Sequence, residues 1–494
     1  MQRSATRDRP LKLEVTDFGP VARAEVELRP LTVFVGPSNT GKTWLATLAY
    51  ALHRYFGPRG WHPWFRVLFE TPALPEGAST DLFRITEGLT AAATQHAAPA
   101  REAIALTPPI EAAIRRHLKE QGGELGKEIE RCFGIDAGDH LIRKGGVGRA
   151  RIVLRHAVEG VRDPAVHELT VADETWTFLS TIPDGLEIRR SHHHRLLADL
   201  SVLGRELKGE QTQRIWDAID VLANDVLPNH HPVFYLPADR TGLMNAHSTV
   251  VSALIESATM AGIRRADPSP ALSGVRGDFL KQLGEMASGQ RRQVRRGRER
   301  LRRLGKRIED EILHGAVKVG GLSGIAYPHF TYRPGGWKTD LPLTSASSMV
   351  SELAPVVLYL RHLVTPSDVL IIDEPESHLH PAMQVAFTRR IAEIVRTGVQ
   401  VILTTHSEWV LEELGNVVGR FESTDRSNRP SDAESLDAGD VGVWLFEPAN
   451  DGCSTVKEIT LDADTGLYPS GFEAVATALH NEWAATVDPR GDAE

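Results

Sequence analysis

The chain has 494 residues, 41% of them hydrophobic and 24% charged, with a formal net charge of −9; this length allows about three domain-sized units, or one large unit carrying an insertion. No apolar run reaches the roughly 18 residues of a membrane span, the opening MQRSATRDRP lacks the apolar core of a secretory signal, and two cysteines, Cys132 and Cys453, without CxxC spacing argue against a disulfide framework or a cysteine-rich zinc site. The expected setting is a reducing cytoplasm without membrane contact, and the acidic balance gives no general pull toward nucleic acid, although local patches remain open to it.

Strands are predicted at 11–15 (LKLEV) and 24–28 (AEVEL), forming a hairpin about FGP at 18–20, and the apolar run 31–35 (LTVFV) reads as a buried strand. Gly36 ends that strand, and 43–56 continues as a helix. Residues 57 to about 130 are rich in Pro, Ala and Glu, with helical stretches. The segments 149–157 and 167–180 read as a second β-layer. Helical spacing resumes over 207–227, with Ile215, Ile219, Leu222 and Val226 on one face. A strand at 233–238 (VFYLPA) precedes a long helical region that ends in the basic text of 290–313. Residues 329–343 read as a hairpin about Gly335-Gly336. The runs 369–373 (VLIID) and 399–405 (VQVILTT), separated by the helical pattern of 382–398, form a βαβ unit and argue for a parallel sheet. A hairpin at 443–459 follows, then an amphipathic helix carrying Phe472, Val475, Leu479 and Trp483.

Three places carry chemistry. GPSNTGKT (Gly36, Pro37, Ser38, Asn39, Thr40, Gly41, Lys42, Thr43) fits GxxxxGK[ST] between a strand and a helix. Its glycines let backbone N–H groups turn toward phosphate oxygens, and the helix presents its positive end to the same anion. Lys42 adds a charge at the β- and γ-phosphates of ATP, and Thr43 a hydroxyl for Mg²⁺. A glycine-rich turn ahead of a helix is the plain alternative. VLIIDEPE (369–376) is an apolar strand ending in acids: Asp373 would hold Mg²⁺, directly or through water, and Glu374 would activate the attacking water. A solvated strand terminus is the alternative there. VILTTHS (401–407) ends a further strand at His406, placed to hydrogen-bond the γ-phosphate; a structural histidine is the alternative.

In this order the three motifs resemble ABC-type ATPases, of the SMC/RecF/OLD-like branch rather than transporter cassettes. The likeness is most specific at DEPESHLHP (373–381) and LTTHS (403–407), and the opening DFGPVARAEVELRPLTVFVGPSNTGKT (17–43) shares it. It implies an α/β fold: an ABC-type ATPase head, with a P-loop mixed sheet plus an antiparallel β-layer, and a largely helical insertion. The divisions are an N-terminal lobe at 1–56, an insertion at 57–319 and a C-terminal lobe at 320–494.

The resemblance also implies a signature segment, matched by TSASSMVSELAPVVLYLRHLV (344–364). There Ser347 and Ser348 would donate hydroxyls to the γ-phosphate held by an opposite protomer, and a helix beginning near Val350 would add its dipole. Met349 stands where the family has glycine, and Pro355 would weaken the first turn unless the helix begins late. Leu353, Val357, Leu360 and Val364 form the buried stripe, and an ordinary Ser-rich cap is the alternative. SHLHP (377–381) matches the D-loop, which is favoured over zinc binding by His378, His380 and Glu376. YLPADRTGLM (235–244) resembles a loop of OLD-like ATPases, in which Arg240 faces the nucleotide or a partner, or simply follows a strand. The basic run 291–307 reads as a solvated helix or short arm, or as a contact to nucleic-acid phosphates. His192, His193 and His194 read as a surface loop or a metal tract. No acidic cluster of the Toprim nuclease type follows His406.

The expected function is an ATP-binding and ATP-hydrolysing molecular switch that pairs its heads on ATP. It would control a separate effector, a nuclease or toxin, as in bacterial anti-phage defence. A DNA repair or chromosome-maintenance ATPase that binds duplex DNA directly is the alternative. A transport cassette is disfavoured by the insertion and by DEPESHLHP.

Overall fold

A computed structural model describes residues 11–56, 122–157, 163–183, 231–246, 272–287, 298–320, 328–422, 434–449 and 452–460, with short pieces between 103 and 115, at 187–189 and around 477–482. The stripe at Ile215, Ile219, Leu222 and Val226, the tract His192 to His194, the basic positions 291–297 and the terminal positions Phe472, Val475, Leu479 and Trp483 lie outside the described residues.

The strands are β1 (Leu11–Phe18), β2 (Val21–Leu28), β3 (Leu31–Val35), β4 (Ala103–Ala105), β5 (Ala150–His156), β6 (Ala165–Ala172), β7 (Thr175–Thr181), β8 (Glu187–Arg189), β9 (Val233–Leu236), β10 (Gly315–Gly320), β11 (His329–Pro334), β12 (Leu341–Pro342), β13 (Val369–Asp373), β14 (Gln400–Thr405), β15 (Val441–Pro448) and β16 (Ser454–Ile459). The helices used below are α1 (Lys42–Phe56), α2 (Gly122–Phe133), α3 (Gly274–Ala287), α4 (Arg298–Ile308), α5 (Ser348–His362), α6 (Pro381–Arg396) and α7 (Glu408–Glu422).

Among the described residues, eleven strands hydrogen-bond into one mixed sheet in the order β7-β6-β5-β1-β2-β16-β15-β3-β14-β13-β9. The run β15-β3-β14-β13-β9 is parallel throughout. Its strands β3, β9 and β13 are buried at every position, which is why they read as unbroken apolar text: helices cover both faces. The strands β2, β1, β5, β6 and β7 are antiparallel neighbours, and β6 alternates buried and half-buried positions along its length. The α/β class and the mixed sheet are as expected. The expected antiparallel layer, however, is continuous with the parallel strands. The β15–β16 hairpin joins them, because β16 runs antiparallel to β15 and parallel to β2. Such pairings between distant segments leave no local pattern for sequence to display.

Alternation along the parallel strands divides the interior into two apolar clusters. Phe34 and Ile371 point into one, with α1, α2 and the antiparallel strands. Val33, Val35, Leu370 and Ile372 point into the other, with α4, α5, α6 and α7. Helix α5 is enclosed on all sides, every residue from Val350 to Leu360 being buried, including the expected stripe at Leu353, Val357 and Leu360. It begins at Ser348, earlier than expected, and runs straight through Pro355. The missing N–H falls in mid-helix, where tertiary burial outweighs its cost of about 3 kcal/mol.

The described half of the basic run, α4, lies on this core with Leu301, Leu304 and Ile308 buried. Lys306 pairs with Asp310 at 2.8 Å, and Arg307 with Glu393 at 2.7 Å. Arg300, Arg302 and Arg303 remain exposed. Cys132 and Cys453 are buried thiols, not joined in a disulfide. Among the described residues, no helix is long and apolar enough to cross a membrane.

Candidate functional site

Strand β3 ends at Gly36, where the chain leaves the sheet and turns into α1. The turn needs glycine twice. Gly36 has φ +144°, and a Cβ there would stand 2.5 Å from the Phe446 carbonyl oxygen on β15; Gly41 has φ +95°, and its Cβ would stand 2.7 Å from Val21 Cγ2. Asn39 takes φ +65°, a left-handed conformation that asparagine tolerates better than most residues. Thr40 donates its hydroxyl to Pro37 O at 2.8 Å, and Ser454 on β16 donates to Thr40 O. The C-terminal hairpin thus props the loop from below, a role its own sequence does not signal.

Pro37, Ser38 and Asn39 are exposed, whereas Lys42 is buried. Lys42 Nζ donates to Gly36 O at 2.8 Å and Pro37 O at 2.7 Å. Burial lowers its pKa, opposed by the charges of Glu374, Glu376 and Asp373. Helix α1 begins at this lysine, so its positive end lies at the loop, the arrangement that binds phosphate.

The ends of β13 and β14 bring the acids to the same place. Thr43 Oγ1 donates to Asp373 Oδ1 at 3.0 Å, across a sequence separation of 330 residues. Thr404 also donates to Asp373 Oδ1, and Tyr235 donates to Oδ2 at 3.2 Å. Asp373 is only 2% exposed; burial raises its pKa, and the hydrogen bonds from Thr404 and Thr43 pull it back.

Among the described residues no group of three or more His, Cys, Asp and Glu could hold a metal by itself. His378 and His380 are both exposed, and His380 caps α6, its Nδ1 accepting from Ala382 N at 3.3 Å. The pair Thr43 and Asp373 offers hard oxygen donors at one point. That set suits Mg²⁺, which is held by one or two protein oxygens while phosphates and water complete its shell.

Glu374 follows with φ +48°, a left-handed conformation costing about 1–2 kcal/mol for a residue with a Cβ. Its N–H donates to Thr404 O at 3.1 Å and to Thr404 Oγ1 at 3.0 Å, and its side chain is one-third exposed, open to a water nucleophile. His406, at the end of β14, is half-exposed. Its Nδ1 lies 3.3 Å from Glu376 Oε1 and 3.9 Å from Glu374 Oε1.

Glu376 is an acid of this site that sequence reasoning weighed only as a partner for His378 and His380. It is 4% exposed, accepts from Thr405 Oγ1 at 2.7 Å and from His406 N at 2.8 Å, and its pKa is raised by burial. The only hint was a second carboxylate two residues beyond Glu374. Arg240 is likewise not at a surface: it is fully buried behind Asp373 and Glu374 and paired with Glu352.

Thus Lys42, Thr43, Asp373, Glu374 and His406 converge at the C-terminal ends of β3, β13 and β14, where open parallel sheets bind ligands. Ser347 and Ser348 are not bonded into this group. Both are exposed at the start of α5, where Ser347 Oγ accepts from Val350 N at 3.4 Å as an N-cap. Among the described residues, no hydrogen bond or ion pair joins them to the phosphate loop or the Asp373–Glu374 pair of the same chain. Met349 is partly buried against the core, which leaves the two serines as the outward side chains of that turn.

A family model described as "AAA domain, putative AbiEii toxin, Type IV TA system" matches residues 222–412, a stretch that includes Arg240, Asp373, Glu374 and His406 but not the phosphate loop. No curated protein matches the chain. Among solved structures, the SmcHead bound to the C-winged helix domain of ScpA is similar at 13% identity and a TM-score of 0.38, over 92% of this chain and 98% of that one. The SMC head domain from Thermotoga maritima is similar at 13% identity and a TM-score of 0.35, over 91% and 99%. The Smc head domain with an extended coiled coil, bound to the C-terminal domain of ScpA derived from Pyrococcus furiosus, is similar at 10% identity and a TM-score of 0.37, over 96% and 99%.

Proposed function

We propose that the chain is an ATPase of the ABC-head type that binds ATP with Mg²⁺ on the loop 36–43 and hydrolyses it with Glu374 as the base. One observation carries this reading: the Thr43 hydroxyl and the Asp373 carboxylate meet at 3.0 Å beside the phosphate loop. Lys42 and the loop amides bind and orient the phosphates. Thr43 and Asp373 would hold Mg²⁺, which would neutralise part of the phosphate charge. Glu374 orients the attacking water and takes its proton, and His406 donates a hydrogen bond to the γ-phosphate and so registers its presence.

Replacement Glu374→Gln removes the base while keeping the shape of the site. Phosphate release is expected to fall by about 10²- to 10⁴-fold, while binding of a fluorescent ATP analogue stays near the parent value. Parent-level turnover in that variant would remove Glu374 from this role.

The wider role is a molecular switch. ATP in one chain is closed over by Ser347 and Ser348 of a second copy, and the paired state controls a separate effector such as a nuclease or toxin, in anti-phage defence. The exposed serines support this reading, as does a family match whose description names a toxin–antitoxin system. A DNA repair or chromosome-maintenance ATPase would draw on the basic run 291–307. Two of its cations, Lys306 and Arg307, are engaged by acids, which favours the switch.

A further inference from the structure

Arg240 is the largest fully buried side chain of the described residues, and no solvent or surface acid explains its charge. Its guanidinium sits directly behind the two acids of the site. Nη1 donates to Asp373 O at 2.6 Å and to Pro237 O at 3.0 Å; Nη2 donates to Glu374 O at 3.0 Å; Nε donates to Glu352 O at 3.2 Å. Its counter-ion is the Glu352 carboxylate, itself fully buried and further held by the Thr241 hydroxyl.

Two features make this more than a neutralised charge. First, the donors reach the backbone carbonyls on either side of the Glu374 α-carbon, at the residue whose φ is +48°. Thr404 holds the Glu374 N–H from one side and Arg240 holds its carbonyl from the other, so the strained residue is pinned at both ends. Second, Glu352 belongs to α5, the helix capped by Ser347, so one ion pair fixes the base relative to that helix. A planar fork with several donors can do this; a point charge cannot.

We propose that Arg240 is a positioning residue for hydrolysis: through the Asp373 and Glu374 carbonyls it holds the Glu374 carboxylate where it can align water. The proposal rests on the ATPase reading above. Arg240 touches neither the phosphate loop nor, by any of these bonds, a position open to ligand, so its loss should spare binding and cost turnover.

The experiment measures kcat, KM and nucleotide affinity for the parent, for Arg240→Lys and for the paired replacement Arg240→Met with Glu352→Met. The paired replacement leaves no lone buried charge, a change that cores commonly tolerate. It is expected to bind the ATP analogue within about threefold of the parent. Its kcat should fall by about 100-fold, the scale of an ångström of misplacement, with KM nearly unchanged. Arg240→Lys should lie between the two. Parent kcat in the folded paired variant would show that the ion pair only balances charge and would overturn the proposal. Should that variant not fold, Arg240→Lys decides: parent kcat there overturns the proposal, and lowered kcat at unchanged KM upholds it. A parent chain without ATP turnover would instead overturn the ATPase reading itself.

Discussion

At the scale of single residues, burial is used here to hold groups in one charge state. His53 and His167 are both buried, and burial drives each pKa from 6.5 down to about 3, helped by the neighbouring His231 and His156 respectively. His167 is fixed as well by Ser180 Oγ at 2.8 Å. The folded pKa lies below the unfolded one, so the unfolded chain takes up protons first as pH falls. Stability is therefore complete above about 6.5 and is lost through the window from 6.5 down to about 3. By pH 5 each histidine should cost about 2 kcal/mol. Thermal melting between pH 7.5 and 5 should show a falling Tm, and the slope should be shallower in His167→Gln, which has no proton to gain. An equal slope in that variant would place the acid sensitivity elsewhere. The residues that could be read from sequence at this scale were those with a motif around them, such as Lys42, Thr43 and Asp373. Arg240 could not be read, because nothing beside it in the chain says that its guanidinium reaches the Asp373 and Glu374 carbonyls, 133 and 134 residues away.

At the scale of elements, the strand–loop–helix of 31–56 and the βαβ unit of 369–405 match the predicted bounds closely, because each is specified by local text: an unbroken apolar run, a breaker, then helical spacing. Helix α4 shows the opposite case. Its arginines surround the helix in sequence, yet Leu301, Leu304 and Ile308 fasten one face to the core and acids engage Lys306 and Arg307. Only Arg300, Arg302 and Arg303 of α4 look outward and carry no described ion pair. Replacing these three with Glu should leave ATP turnover unchanged. Each phosphate contact contributes about 0.9 to the salt slope of binding, so any duplex-DNA affinity should lose no more than about 3 from its slope. A larger loss, measured by anisotropy across a salt series, would show that α4 organises a wider DNA surface and would favour the direct DNA-binding alternative.

At the scale of the whole molecule, the residues proposed to bind and hydrolyse ATP gather at one point while Ser347 and Ser348 are exposed on a separate helix start. A chain carrying both a phosphate site and an outward donor turn can satisfy each with the other's copy in a closed twofold pair. With hydrolysis blocked by Glu374→Gln, ATP should persist and light scattering should show a doubled mass that requires ATP and Mg²⁺. Adding Ser348→Arg, which places bulk and charge at the contact, should return the mass to that of one chain while nucleotide binding survives. A doubled mass without ATP, or one indifferent to Ser348→Arg, would count against pairing through this turn.

The sequence by itself determined the pieces whose physics is short-ranged: the glycine-bearing phosphate loop, the acid pair at a strand end, the histidine after the next strand, and the α/β alternation that makes a parallel sheet. Tertiary structure alone decided which pieces share a sheet and which buried charges meet. Stitching of the antiparallel strands to the parallel ones through β16, the support of the loop by Phe446 and Ser454, the seating of His406 on Glu376, and the clamp of Arg240 on Asp373 and Glu374 all join segments distant in the chain. Periodicity and propensity register a residue's immediate neighbours. A hydrogen bond or ion pair across the core is set by how the two apolar clusters close around the sheet, and no local pattern carries that information.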